Sequence, residues 1–407
     1  MNSSAWNHEL RAHWKVIFAA AFGAGAGITG MSVYSLSILI NPLSDAFGWS
    51  RAEVSAAKTI LTAGFVLTGP MIGYLTDRMS ARRIGMISLA TLSLGMLAMT
   101  QIGPSIGSFY ALLFLLSLAG CGTTPLIWTR AVTTRFSQSR GLALALTLVG
   151  PGIVGVFTPT LLDSMIQNFD WRAAYITMSL FAALALIPVG LFFYEDRGVV
   201  TDVRAAPTPT AKVGVAFADA LRMRQFWQFA FGFMLIGAVV SALMVHLVPL
   251  ILDVGIDRNI AVRIAGVLGI AVIFGRLLTG YLVDRLHPPY VAGAFLFTPI
   301  IGCLIIGAGS DSTAAIVLAV ACIGLAAGSE VDLLPYLTAH YFGLKAWGKI
   351  YGWMFAAFFT GVGVGPPFFG FMHDIYGSYN QALKVAILVL ILGVLSIATL
   401  GRASRRF

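Results

Sequence analysis

Gly73-Tyr74-Leu75-Thr76-Asp77-Arg78 and Gly280-Tyr281-Leu282-Val283-Asp284-Arg285 are one phrase written twice. Each closes a stretch of 28 residues, 51–78 and 258–285, that begins and ends on arginine. Both stretches are long and apolar enough to cross a bilayer, which takes about 20 mostly apolar residues. A general likeness between apolar helices does not produce a shared G-Y-L-x-D-R at equal offset. The phrase marks an internal duplication, and a duplicated membrane chain has two related halves.

Working outward from these two stretches, the same criterion predicts twelve spans: 14–41, 51–76, 84–102, 108–134, 141–167, 173–195, 226–252, 261–284, 289–309, 313–340, 350–373 and 382–401. The longest contain Gly or Pro and are expected to tilt or bend. The one long polar stretch, 196–225, includes Pro207-Thr208-Pro209-Thr210 and reads as a flexible linker. The expected fold is therefore all-α and membrane-spanning. A six-helix bundle over 1–195, a linker over 196–225 and a second bundle over 226–407 are related by a pseudo-two-fold axis. The first apolar run is too long for a signal-peptide core and is expected to stay as an anchor.

Charge supports this layout. Only 11% of the residues are charged and 58% are hydrophobic, against about a quarter charged in a soluble domain. The formal charge of +9 does not point to nucleic acid, because the cations sit in short clusters between apolar runs. Of the 26 Lys and Arg, eighteen fall at one set of loop ends and six at the other. Cytoplasmic loops carry the excess, so both termini are expected in the cytoplasm, in an inner membrane. Cys121, Cys303 and Cys322 lie in apolar runs without metal spacing and read as small core residues. No phosphate-binding glycine loop, hydrolase elbow or metal-binding cluster occurs. An enzyme, a cofactor and direct ATP drive are not expected. The lipid bilayer is the expected partner, and the chain is expected to act as a monomer.

At Gly73, Leu75, Asp77, Arg78, Arg82 and Arg83 the sequence resembles the major facilitator superfamily, whose hallmark is G-x-L-x-D-R-x-G-R-[KR] between helices two and three. Ser80 stands where that pattern has Gly, and Gly280 to Arg285 is a partial second copy. The resemblance implies the major facilitator fold, and a latch made by Asp77 at a helix end with nearby arginines, repeated at Asp284 and Arg285. A narrower resemblance is to the monocarboxylate-transporter branch, which includes oxalate/formate antiporters. It rests on Phe47-Gly48-Trp49-Ser50-Arg51, on Arg135-Phe136 with Arg140-Gly141-Leu142-Ala143, on His246-Leu247-Val248-Pro249, on Arg276, on Gly328 to Tyr336 and on Tyr341-Phe342-Gly343. It implies transport of a small organic carboxylate, often with a proton. Val272 replaces an Asp that some animal members place one turn before the helix-eight Arg, and the expected helix eleven has no Lys.

Charges inside spans cost several kcal/mol, about 2.5–3.5 near the centre on insertion scales, and so call for a partner or a purpose. Arg276 lies about 13 Å from the nearer end of its helix at 1.5 Å per residue, too deep to snorkel easily. It is a candidate clamp for a substrate carboxylate, or else half of an ion pair with Glu330 or Asp332. Those two acids, in helix ten, are candidates for the coupling proton. Being two apart, they point about 200° apart on the helix. His246 has the chemistry of a proton site and equally that of a packing histidine. Arg130 either snorkels or offers, from the N-terminal half, a second anion contact or a gate. Tyr34 and Tyr336 are candidate hydrogen-bond donors to substrate. Gly150-Pro151-Gly152 and the Gly361 to Pro367 run are expected bending points for a rocking motion. The function expected is proton-coupled transport of a small organic anion by alternating access. Its rivals are proton-driven export of lipophilic compounds and, from another class, a membrane sensor that transports nothing.

Overall fold

The computed structural model describes residues 3–136, 138–193, 214–309 and 312–401, nearly all of them helical. In chain order the elements are α1 (Ser3–Gly25), α2 (Ile28–Phe47), α3 (Arg51–Ser55), α4 (Ala57–Arg78), α5 (Ala81–Met99), α6 (Ile106–Ala119), the 3-10 turn η1 (Gly120–Thr123), α7 (Pro125–Arg135), α8 (Arg140–Asn168) and α9 (Trp171–Phe192). They continue as α10 (Phe217–Arg222), α11 (Arg224–Val245), α12 (Leu247–Asp253), α13 (Arg258–Val283), α14 (Pro288–Gly307), α15 (Thr313–Phe342), α16 (Trp347–Tyr376) and α17 (Asn380–Ala398). Of the expected linker, 196–213 lies outside the described residues; its last part forms α10.

Among the described residues ten helical runs are long and apolar enough to cross a membrane. The other two expected spans are the first, divided into α1 and α2, and the third, α5, whose first turn carries Arg82 and Arg83. An all-helical chain with twelve crossings agrees with this. Leu67, Leu94, Phe157, Leu184, Ile270 and Leu388 are among many large apolar side chains left exposed, a surface suited to lipid rather than water.

The chain divides into two compact units. One comprises Met1–Ser139, Leu146–Val213 and Trp347–Gly352, the other Arg140–Ala145, Gly214–Ala346 and Trp353–Phe407. In the first unit the break at 26–27 is stitched to η1. Ile28 N donates to Thr123 Oγ1 at 2.9 Å, and Thr123 Oγ1 donates to Gly120 O at 2.6 Å. A Cβ on Gly27 would lie 2.5 Å from Thr123 O, so only glycine lets the two broken helices meet. The buried Trp128 indole donates to Thr123 O at 2.9 Å and completes the joint. In this way backbone groups freed by the breaks are satisfied inside protein, as a bilayer demands.

The second unit has its own apolar core, including Leu243, Leu250, Ile300, Cys303, Ile323 and Leu390. All three cysteines are free and buried, as expected. Helix seven breaks at His246, between α11 and α12. The interruptions in helices one, four and seven therefore fall at Gly, Thr and His, and the expected second span is interrupted at Ala56, between α3 and α4. At the Gly-Pro runs, α8 and α16 run as single helices of 29 and 30 residues, through Pro151 and through Pro366-Pro367. Ser80 explains its own departure from the Gly pattern: its extended backbone (φ −69°, ψ 137°) caps α5, and its hydroxyl accepts from Arg83 N at 3.3 Å.

Candidate functional site

In the second unit α13 and α15 approach backbone to backbone. A Cβ on Gly275 would lie 2.5 Å from Leu325 O, and one on Gly328 would run into Val272 O and lie 2.9 Å from Arg276 N. Small residues spaced four apart, Gly324 and Gly328, allow such approach. The residues after Gly328 are thereby delivered to the level of Arg276. Arg276 Nε lies 3.5 Å from Asp332 Oδ1, with side-chain exposures of 12% and 3%. Glu330 is 6% exposed and feels the charge of the same guanidinium. Among the described residues neither oxygen of Asp332, nor Glu330 Oε2, has a hydrogen-bond partner. Just beside them the Thr279 and Ser329 hydroxyls meet at 2.7 Å, both buried. Ser329 Oγ donates to Leu325 O, so Thr279 is the donor of the pair. The slot therefore holds one permanent cation, two acids with spare lone pairs and a hydroxyl clip fixing the helix register.

The repeated phrase builds two copies of another device. In the first unit Asp77 accepts from Gly348 N at 3.1 Å and Lys349 N at 3.0 Å, in the first turn of α16. In the second unit Asp284 accepts from Gly141 N at 2.7 Å and Leu142 N at 3.1 Å, in the first turn of α8. Neither helix is capped by its own N-cap side chain. The aspartates supply the missing acceptors and a charge that suits the positive helix end. Glycine makes room in both copies: Gly73 lies against Gly348 O, and a Cβ on Gly280 would lie 2.6 Å from Gly141 O. Arg78 lies over the Tyr74 ring at 4.3 Å and Arg285 over the Tyr281 ring at 3.9 Å. Arg82 donates to Gly190 O.

The remaining candidates fall in different places. Arg130 donates to Asp77 at 3.2 Å and belongs to the first cap. Tyr336 donates to Val283 O at 3.0 Å, next to Asp284, and belongs to the second. His246 Nε2 donates to Pro366 O at 2.9 Å, and its Nδ1 lies 3.0 Å from Tyr379 Oη, so it ties the break in helix seven to α16. Tyr34 lies in α2, but its side chain lies outside the described residues. The structure thus brings Arg276, Glu330 and Asp332 together and sets Arg130, Tyr336 and His246 elsewhere. Sequence reasoning missed Thr279 and Ser329; the glycine pair just before Ser329 was the available signal. It also missed Lys349, which lies in the first turn of α16, before the expected start of helix eleven.

The model of the Major Facilitator Superfamily matches residues 20–352. The chain belongs to that superfamily, and so to a family of transporters rather than enzymes. Within it, the chain is similar to monocarboxylate transporter 11 of Mus musculus, at 27% identity over 384 residues that cover 91% of this chain and 84% of that one. Monocarboxylate transporter 13 of Rattus norvegicus is 27% identical over 385 residues, covering 93% and 87%. The narrower resemblance read from the sequence is borne out by these relatives. The E. coli fucose:proton symporter FucP shares the fold with a TM-score of 0.71 at 15% identity, over 97% of this chain and 99% of that one. The human organic anion transporter MFSD10 does so with a TM-score of 0.71 at 16% identity, over 96% and 99%.

Proposed function

We propose that this transporter carries a small organic anion, a monocarboxylate or a close chemical relative, together with a proton, by alternating access. The observation that carries the reading is the α13–α15 slot: a buried guanidinium against two acids whose oxygens are not saturated. A guanidinium forks onto a carboxylate through two parallel hydrogen bonds. A substrate carboxylate that forks onto the guanidinium competes with Asp332, whose Oδ1 stands 3.5 Å from Nε. Two ionised acids beside one cation would leave a net negative charge away from water, which is costly. The resting slot therefore holds Asp332 ionised and one proton on Glu330. When a substrate carboxylate takes the place of Asp332 on Arg276, Asp332 accepts a second proton. One anion and one proton enter, and the slot stays neutral throughout.

Anion and proton both bias one two-state equilibrium, which is all that coupling requires. Rocking of the two six-helix bundles presents the slot to each side in turn. The excess of basic residues supports a layout with both termini and both Asp–Arg ends on the cytoplasmic side of an inner membrane. The names of the two monocarboxylate-transporter relatives support the substrate class.

The test is counterflow in proteoliposomes with labelled lactate, oxalate or an aromatic acid. The expected result is monocarboxylate exchange, net uptake driven by an inward proton gradient, and loss of both in Arg276→Gln. Full flux in that variant would overturn the anion site. Flux indifferent to the proton gradient would overturn the coupling alone.

A further inference from the structure

Away from the slot, the first unit carries a groove of about 680 Å³ between α1 and α8. Its walls change character along its length. Arg11 and Trp14 stand at one end, and Ile17, Phe18, Val149 and Ile153 line the rest. Trp14, Phe18 and Ile153 are 53%, 46% and 51% exposed, so the groove opens outward. From Arg11 to Ala21 the trough runs about 15 Å along α1, at 1.5 Å per residue.

The charged end is held in place. Glu9 Oε2 accepts from Gln138 N at 3.1 Å, from Ser139 N at 2.9 Å and from Ser139 Oγ at 2.8 Å. His13 sits edge-on to Phe136 with ring centroids 5.7 Å apart. At His13 the backbone leaves the helical region (φ −118°, ψ 16°), so α1 bends between Arg11 and Trp14. Glu9 and His13 thus tie α1 to the residues leading into α8, and Arg11, between them, stands at the mouth of the groove. Lys15, one turn on, lies over the Phe192 ring at 5.8 Å and takes no part in the groove.

We infer that this groove binds one anionic phospholipid, with its phosphate on Arg11, its glycerol region at the Trp14 indole and one acyl chain along Phe18 and Ile153. The gradient from guanidinium to indole to hydrocarbon matches the gradient along a lipid molecule at a membrane interface, where Trp and Arg both concentrate. A soluble anion would leave the apolar length unused, and a zwitterionic lipid brings a choline cation beside its phosphate that offsets the attraction of Arg11.

The experiment is native mass spectrometry of the purified full chain, challenged with dioleoylphosphatidylglycerol, dioleoylphosphatidylcholine or glycerol 3-phosphate. The expected wild-type result is preferential retention of phosphatidylglycerol. In Arg11→Gln the preference falls about fivefold, the effect of one basic residue near an anionic surface, and Arg11→Lys keeps it. Ile153→Trp, which fills the apolar length, lowers retention of both lipids. Three results would each overturn the inference: equal retention of phosphatidylglycerol by wild type and Arg11→Gln, no loss in Ile153→Trp, or displacement of the lipid by glycerol 3-phosphate alone. Arg11 and Ile153 are exposed or at the groove surface and hold no part of either core, so both variants fold.

Discussion

Arg130 and Arg276 are both nearly buried in membrane-crossing helices, and each faces an aspartate, yet the two pairs are built differently. Arg130 donates to Asp77 at 3.2 Å, and Asp77 also takes two backbone N–H groups of α16. Arg276 stands 3.5 Å from Asp332, whose two oxygens accept no hydrogen bond among the described residues, with Glu330 as a second acid beside it. A saturated carboxylate gains nothing by letting go of its arginine. An unsaturated one gains from a proton, and its arginine gains from a better-shaped anion. The first pair is built as a fastener; the second is the one proposed above as an exchangeable site.

The contrast breaks most visibly at Asp77. Asp77→Ala strips an ion pair and two helix-capping bonds at once and is expected to cost about 3–5 kcal/mol of stability, read from unfolding in detergent. Asp332→Asn is expected to cost about 1 kcal/mol or less, because Glu330 ionises in its place and keeps Arg276 matched. The double variant Glu330→Gln/Asp332→Asn removes that substitute and is expected to lose about 3–5 kcal/mol, far from additive. Additivity in that cycle would mean that the acids do not share one cation. Glu330→Gln alone mimics the acid that keeps its proton, and it is expected to leave the dependence of flux on the proton gradient in place, measured in proteoliposomes, because Asp332 takes the travelling proton. The smallest effect belongs to the hydroxyl clip. Thr279→Val is expected to cost about 1 kcal/mol and to weaken anion binding, because the height of Arg276 relative to Asp332 is no longer fixed.

The duplicated G-Y-L-x-D-R phrase and the run of apolar stretches made the fold legible, since both are local patterns of fixed length. The clustering of Arg276, Glu330 and Asp332 was half legible. Each charge was conspicuous in an apolar helix, but only the glycine contact between α13 and α15 says which acid arrives at which depth. What Arg130 does was only partly legible: a gate contact was among its readings, but Asp77 is 53 positions away, and nothing local distinguishes an arginine that reaches a helix cap from one that reaches a solute. The breaks in helices one, four and seven were hidden for the same reason. At the break in helix one the freed Ile28 N is satisfied by Thr123 from another helix, whereas the prolines that local rules flag sit inside helices that continue.

The most direct measurement is thermal stabilisation of the purified protein across a series of mono-, di- and aromatic carboxylates, run in parallel on Arg276→Gln and Arg130→Gln. Concentration-dependent stabilisation by a monocarboxylate should persist in Arg130→Gln, on a lower baseline, and vanish in Arg276→Gln. If Arg276→Gln still responds to the anion while Arg130→Gln does not, the roles assigned to the two arginines are reversed and the account fails.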